Sequence, residues 1–173
     1  MDIVSRFNHG EFFHADSIKF NDSLKYTTTN GRTVFGGGGI MPDYFVPLDT
    51  TLNSHYLNEL YTTLSIVEYA FNYVDVHREE LLKKGKDNFM NKFKVTDEMI
   101  DALVKVGQRN KVQPDYKELK SRGNLFRIHV KAQIARKLWG NDGYYPIMNE
   151  TNEVFLRSVG LFDQIPQLEK GKL

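Results

Sequence analysis

The sequence contains no cysteine among its 173 residues. This absence excludes disulfides, cysteine-ligated metal sites and thiolate catalysis, although it does not identify a redox compartment. Long hydrophobic runs are also missing, because no apolar stretch approaches the length of about 18 residues that a membrane-spanning helix needs. The segment Met1–Gly10 likewise lacks the apolar core of a signal peptide.

An excess of charge of one sign is absent too, since 23 Lys and Arg stand against 22 Asp and Glu, for a formal net charge of +1. A chain with this balance has no bulk attraction for nucleic acid or anionic membranes, so any partner must be recognised locally. The hydrophobic content of 40% and the aromatic content of 13% are typical of a folded globular chain. We therefore expect a chain with a real hydrophobic core.

Recognisable catalytic and nucleotide-binding motifs are missing as well. The glycines are followed by neither Gly-Lys-Ser nor Gly-Lys-Thr, and the sequence has no G-x-S-x-G and no Ser-x-x-Lys. His9, Glu11, His14 and Asp16 carry groups that bind zinc, but their spacing fits no familiar site, and solvated loop residues are the expected interpretation. The sequence thus predicts no catalytic, cofactor-binding or metal-binding residue.

Two clusters outside these motifs could serve binding. The aromatic residues Trp139, Tyr144 and Tyr145 could anchor an interface, although aromatic residues after a helix are more often core. A basic stretch could contact an acidic partner, although a solvated helix face is the more ordinary interpretation. The members of this basic stretch are Lys117, Lys120, Arg122, Arg127, Lys131, Arg136 and Lys137.

The most unusual stretch that is present is "NGRTVFGGGGIMPDY", with four glycines in succession. Asn30 and Gly31 lie between the β-type runs "LKYTT" and "RTVFG", and Asn-Gly in this setting predicts a β-hairpin. Pro42 and Pro47 confine the following short segment to an edge or terminal strand. Because an isolated hairpin is marginally stable in water, we expect these strands to belong to a larger sheet.

Beyond Leu52 the apolar periodicity becomes helical, so the predicted fold class is α+β, mainly α-helical, with a small β-hairpin on the N-terminal side. Thr96 is predicted as a helix N-cap, Gly85 as a C-terminal cap, Gly107 as a helix stop and Pro114 as a first helical residue. The predicted helices are Leu57–Lys84, Asp87–Phe93, Thr96–Gly107, Leu119–Leu138 with a break near Gly123, and Thr151–Gly160, followed by a frayed tail at Asp163–Leu173.

The segment Asp22–Thr51 resembles the C-terminal end of the protease core of bacterial carboxyl-terminal processing peptidases. These are the tail-specific serine proteases of peptidase family S41, and the Bacteroidetes type is the most similar. Such proteins carry the pattern T-x-x-G-R-x-V-[YF]-G-G-G-G-I-x-P-D. This chain matches it at Gly31, Arg32, Val34, Phe35, Gly36, Gly37, Gly38, Gly39, Ile40, Pro42 and Asp43. The segment Arg6–Phe20 is similar to the insert that precedes this region, and "QIARKLWG" and "YYPIMNE" are similar to the C-terminal helical extension.

The resemblance implies a parent protein with a PDZ domain that captures a substrate C-terminus and a β-rich core. In that core a lysine activates a serine nucleophile and backbone amides stabilise the oxyanion. In the family these parts lie upstream of the matched region, so we expect this chain to be the trailing part of a longer protein and to be inactive alone. The implied domains are residues 1–52 as the end of the protease core, residues 53–162 as a helical domain, and residues 163–173 as a disordered tail.

The motif residues are expected to form scaffold. The glycines would let backbone approach backbone, Pro42 would fix the exit of the chain, and Asp43 would cap the turn. The resemblance further implies a periplasmic or envelope location, no cofactor and no nucleic acid. The implied partners are the upstream core and PDZ domain and the parent's peptide substrates, with homo-oligomer formation left open.

Two functions remain open for the helical half. It could pack on the protease core or on a second protomer and shape substrate access. Alternatively, it could be an autonomous interaction module that binds an envelope partner through the basic stretch. A salt titration separates the two, because an electrostatic contact weakens as ionic strength rises.

Overall fold

The structure is a computed structural model that describes residues 3–18, 22–29, 31–36, 42–50 and 53–168. The chain divides into two compact units, an N-terminal unit of Met1–Thr50 with Glu153–Leu173 and a helical unit of Thr51–Asn152. No described helix has the length and apolarity needed to cross a membrane. The elements in chain order are α1 (Ile3–Asn8), β1 (Lys25–Thr27), β2 (Thr33–Phe35), α2 (His55–Thr62), α3 (Ser65–Lys84), α4 (Lys86–Lys92), α5 (Asp97–Arg109), α6 (Tyr116–Ser121), α7 (Gly123–Trp139), α8 (Asn141–Asn149), α9 (Glu153–Gly160) and α10 (Ile165–Leu168).

The mainly helical α+β class predicted from the sequence is confirmed. The helical unit contains a continuous apolar core, in which α7 packs against both α3 and α8, and α3 packs against α5. The rings of Tyr56 and Phe126 lie 5.7 Å apart within this core. Its most completely buried apolar side chains are Tyr56, Leu60, Ile66, Val74, Leu103, Phe126, Val130, Ile134 and Ile147.

The single helix predicted over Leu57–Lys84 is interrupted, because the chain breaks between α2 and α3. Leu64 takes a left-handed conformation at the break, with φ of 58°, and is 62% exposed. The Thr63 hydroxyl donates to the Glu59 carbonyl at 2.8 Å and lies 2.7 Å from the Ser65 hydroxyl. Local side-chain bonds of this kind compete with helix continuation. The break lets two helices with different axes bury apolar faces in one core.

Helix α5 continues past its predicted stop at Gly107 and ends at Arg109. Gly107 is buried, and a Cβ atom there would lie 2.8 Å from Leu60 Cδ2. This glycine therefore serves close helix packing and not termination. The predicted N-cap is confirmed, since the Thr96 side chain accepts from the Met99 N–H at 3.4 Å.

The start of α6 also differs from the prediction. Asp115 caps this helix by accepting from the Glu118 N–H at 2.8 Å, so Pro114 lies before the cap and not in the first turn. The predicted break near Gly123 is confirmed, because α6 ends at Ser121 and α7 begins at Gly123. Gly85 also caps α3 as predicted, with φ of 81° and its N–H bonded to the Leu81 carbonyl at 3.1 Å.

Helix α8 is absent from the predicted helices, and it contains Pro146, a residue type that normally ends a helix. Its packing against α7 outweighs this penalty, and Gly143 and Ile147 are buried on that side.

The predicted helix ending at Gly160 is present as α9. The predicted frayed tail instead begins with helical turns that continue through Leu168, and residues 169–173 lie outside the described residues.

Gly143 marks the closest approach between α7 and α8, since a Cβ atom there would lie 2.6 Å from the Ala135 carbonyl oxygen. We expect Gly143→Ala to lower the free energy of unfolding by at least about 1 kcal/mol, because backbone must move to accommodate the methyl group. Urea unfolding followed by circular dichroism measures the loss. Gly123→Ala is the control, because its nearest neighbour is the flexible tip of Arg127. Equal stability of both variants would contradict this account of the packing.

Candidate functional site

The predicted hairpin is present in the N-terminal unit. Strands β1 and β2 are antiparallel, with Tyr26 opposite Val34. The Gly31 N–H donates to the Thr28 carbonyl at 2.9 Å, and the Thr28 N–H donates to the Arg32 carbonyl at 2.8 Å. Gly31 has φ of 78°, a conformation that favours glycine, which explains the residue type at this position. Asn30 lies outside the described residues.

An ion pair joins the two ends of the glycine segment. Arg32, at the end of the hairpin loop, pairs through Nη2 with Oδ1 of Asp43, the residue after Pro42. Both side chains are partly exposed, at 33% and 44%. The two charged residues of the motif are therefore joined by an ion pair, and the predicted turn cap at Asp43 stays a prediction.

Gly36 is the one glycine of the run that the structure describes. Its N–H donates to the Leu24 carbonyl at 2.8 Å, and a Cβ atom there would lie 3.1 Å from the Tyr26 ring. The close neighbour is a side chain, and the nearest backbone atom, the Leu24 carbonyl oxygen, would lie at 3.8 Å, so the predicted approach of backbone to backbone stays a prediction. Gly37, Gly38 and Gly39 lie outside the described residues, together with Ile40 and Met41.

The hairpin is exposed on both faces. All three residues of β1 are exposed, and the cross-strand pair Tyr26 and Val34 is 57% and 38% exposed. Among the described residues, the sheet contains these two strands alone. A two-stranded sheet without a covered apolar face is marginally stable in water. The hairpin therefore exposes the apolar side chains of Tyr26 and Val34, whereas Phe35 is partly buried.

Apolar side chains are also exposed in the rest of the N-terminal unit. Within its described part, no apolar side chain is buried. Several are substantially exposed, at Ile3, Phe7, Tyr44, Leu48, Val154, Leu156, Val159, Phe162 and Ile165. All the fully buried apolar residues of the described chain belong to the helical unit. Among its described residues, the N-terminal unit thus has strands and helices but no fully buried apolar core, although the Phe7 ring contacts those of Phe12 and Phe13.

The segment containing the candidate metal ligands is arranged around an ion pair. Glu11 is buried and accepts from Arg6 Nε at 2.7 Å. The Arg6 guanidinium also lies over the Phe12 ring, 5.6 Å from its centroid. His14 and Asp16 are exposed, and the described residues contain no group of three or more side chains able to hold a metal ion. Glu11 therefore serves a local structural contact.

The basic stretch makes contacts within the chain. Arg127 pairs with Asp97, and Lys131 Nζ donates to the Met90 carbonyl at 2.6 Å. Further contacts are Arg122 to the Asn53 carbonyl, Arg136 over the Tyr144 ring and Lys137 over the Phe71 ring. Five of the seven cations are therefore held by this chain's own groups. Most of the basic stretch therefore makes intramolecular contacts and does not form an open cationic surface.

A polar network lies inside the helical unit and joins α2 to α7. The Tyr61 hydroxyl lies 2.8 Å from Nδ1 of His129 and accepts from Gln133 Nε2 at 3.3 Å. Burial lowers the pKa of His129 to about 4, and burial is also the main cause that raises the pKa of Tyr61 to about 12. Both groups are therefore neutral at pH 7, and the tautomer of the imidazole determines which of the two donates. No motif in the sequence indicates this network, because its members are distant along the chain.

Glu118 of α6 anchors the first turn of α2. Its carboxylate accepts from the Ser54 hydroxyl at 2.5 Å and from the Tyr56 N–H at 3.1 Å. The Ser54 bond is the main cause that holds the pKa of Glu118 below its usual value. A carboxylate beside unsatisfied helix N–H groups is favourable electrostatically. Ser54 and Glu118 are 64 positions apart, so the local sequence gives no indication of this contact.

Comparison with known proteins supplies a family match but no activity. Residues 56–140 match the model of a family of unknown function, DUF8443. The matched stretch runs from α2 to the end of α7 and does not include the hairpin and glycine segment. No curated protein and no solved structure matches the chain significantly. The helical core of this chain, from Tyr56 to Gly140, is therefore similar to a family whose function is not established.

Proposed function

We propose that this chain is the C-terminal portion of a carboxyl-terminal processing serine peptidase of family S41. Residues 1–52 form the last segment of the protease core, and the helical domain after them has a structural or substrate-access role. The reactive serine and lysine belong to the upstream core, and the parent acts in the periplasm or cell envelope. The basis for this assignment is the dense motif around Gly31, Arg32 and Asp43.

The observation that supports the proposal best is the exposure of apolar side chains in the described part of the N-terminal unit. Its described residues bury no apolar side chain, while Tyr26 and Val34 are exposed on a two-stranded sheet. An exposed strand edge is a template for pairing with another strand. Further strands of a protease core would pair with that edge and cover these side chains. A segment that ends a larger sheet is expected to look this way when it stands alone.

The alternative is an autonomous helical interaction module that binds an envelope partner through the basic stretch. Internal contacts weigh against it, since Arg127 pairs with Asp97 and Lys131 bonds the Met90 carbonyl. A partner would have to displace these contacts before it gained its own. Lys117 and Lys120 remain exposed on α6, and two exposed lysines supply little binding energy.

The experiment compares the full natural reading frame with this chain alone. Both proteins are incubated with an unstructured peptide that has a free C-terminus, and cleavage is followed by mass spectrometry. We expect the full protein to cleave the peptide and this chain to leave it intact. The full frame is also expected to contain a PDZ pattern and a Ser and Lys pair upstream of Gly31.

Three outcomes would reject the proposal. The full reading frame could lack an upstream PDZ and Ser-Lys region, the full protein could fail to cleave, or this chain could cleave without it.

Gly37→Ala with Gly38→Ala in the full protein tests the scaffold role of the glycines. We expect weaker folding and less proteolysis for that variant, because added Cβ atoms would obstruct close backbone packing. Asp16→Asn, an exposed change in the same unit, is the control.

A further inference from the structure

A groove between α3 and α5 lies on the surface of the helical unit. Its volume is about 430 Å³, within the range of roughly 300–1,000 Å³ that is usual for binding pockets. Its floor is buried, at Tyr69 and Val106, while Val76 on its wall is 78% exposed. The lining is mainly apolar and includes Tyr69, Tyr73, Val76, Met99, Ala102 and Val106.

Three rings follow one another along the α3 side of the groove. The Tyr69 and Tyr73 ring centroids are 6.2 Å apart, and those of Tyr73 and His77 are 4.4 Å apart with an interplanar angle of 35°. The Tyr73 ring is also held by an edge contact with Phe93 at 6.1 Å. A fixed aromatic face is a good surface for apolar side chains and for the alkyl stem and charge of a lysine or arginine.

One end of the groove carries negative charge. Glu98, in the first turn of α5, lines it together with His77. Glu80 follows His77 by about one turn on α3 and is close enough to Tyr73 to contribute, after burial, to the raised pKa of that hydroxyl. The partner of Glu80 is Lys84, through an exposed ion pair of 2.5 Å. Because the charges of Glu80 and Lys84 offset each other, the negative charge of this end is that of Glu98.

We propose that this groove binds a basic amphipathic helix, with an apolar side chain seated against Tyr73 and Val76 and a lysine or arginine directed at Glu98. Apolar grooves between two helices commonly receive the apolar face of a third helix through anchors at i, i+3 or i+4, and i+7. The occupant carries positive charge because Glu98, the charged residue in the lining of the groove, is a carboxylate. The groove belongs to the helical unit, and the proposal does not depend on the proposed peptidase function.

The test uses two designed helical peptides and the full 173-residue chain. Both peptides carry leucines at i, i+4 and i+7 on one face, and the flanking positions are lysines in one and glutamates in the other. Titration of the isotope-labelled protein is followed by two-dimensional NMR. We expect the lysine peptide to bind saturably and to shift the amide signals of α3 and α5. The glutamate peptide is expected to bind at least about 10-fold more weakly, a difference of about 1.4 kcal/mol.

Point variants locate the contact. Val76→Ser removes an exposed anchor and is expected to weaken lysine-peptide binding by about 5-fold or more, since truncating an anchor typically costs over about 1 kcal/mol. Glu98→Gln is expected to reduce both the affinity and its salt dependence. Leu82→Ser is the control, because Leu82 is an exposed leucine of α3 outside the groove.

Several results would overturn the proposal. These are the absence of saturable binding by the lysine peptide, equal affinity for the two peptides, or equal losses from Val76→Ser and Leu82→Ser. Amide shifts confined to elements other than α3 and α5 would also reject it. The comparison of the two peptides on the unaltered protein gives a result even where a variant fails to fold.

Discussion

Replacing Phe126 by alanine is expected to lower the free energy of unfolding of the helical unit by about 3–5 kcal/mol. Phe126 lies on α7, the helix that contacts both α3 and α8, and its side chain is 0% exposed. Its ring packs 5.7 Å from that of Tyr56, itself only 1% exposed. Truncation removes a large apolar side chain and leaves a cavity that rigid helices cannot fill completely. A loss of this size is comparable with the whole stability of many small domains.

Phe71→Ala provides the matched control for this prediction. Phe71 is a phenylalanine of the same unit, but it lies on α3 with 54% of its surface exposed. Its ring is contacted by the Lys137 ammonium, 5.7 Å from the centroid. We expect its truncation to cost less than about 1 kcal/mol, because little buried area is lost. Urea unfolding followed by circular dichroism measures both variants, and similar losses would contradict the position of α7 at the centre of the core.

Acidification is expected to destabilise the helical unit through His129. Its pKa is lowered by burial to about 4 from the ordinary value of 6.5. Between these values the unfolded chain binds a proton that the folded chain does not bind. The stabilising contribution is therefore complete above about pH 6.5 and decreases as the pH falls toward about 4. The total loss is on the order of 3 kcal/mol, since each pKa unit corresponds to about 1.4 kcal/mol.

The measurement is the free energy of unfolding at several pH values between about 7 and 5. Glu118 does not interfere in this pH range. Its lowered pKa contributes stability that is lost only when the pH falls below 4.5, the ordinary pKa of a glutamate. His129→Gln is expected to remove most of the pH dependence in the range, whatever its effect on stability at pH 7. His55→Gln is the control, because that side chain is 85% exposed. An unchanged pH dependence in His129→Gln would refute the prediction.

Local chemistry explains which features were predictable. Thr96 and Gly85 act within one helical turn of their own positions, so their capping roles follow from residue type and spacing. The hairpin was predictable because its loop needs a residue such as Gly31 that adopts positive φ easily. Gly107 was misinterpreted because a glycine that ends a helix and a glycine that admits Leu60 look the same in the local sequence. Helix α8 was not predicted, and its packing on α7 outweighs the cost of Pro146 within the helix.

The candidate sites divide in the same way. The glycine motif was recognised from its residues, but the pairing of Arg32 with Asp43 depends on how the chain turns between them. The groove between α3 and α5 and the contact of Tyr61 with His129 join residues that are distant in sequence. Each requires helix axes to be placed relative to one another, and periodicity carries no such information.

By itself the sequence determined the mainly helical α+β class, the hairpin, several helix ends and the absence of thiol chemistry. Each of these depends on backbone preferences or residue types that act over a few positions. Only the tertiary structure decided that α2 and α3 are separate helices and that most of the basic stretch contacts internal partners. It also decided that, among the described residues, the fully buried apolar side chains lie in the helical unit. These features depend on which surfaces meet, because burial and electrostatic pairing are properties of neighbours in space.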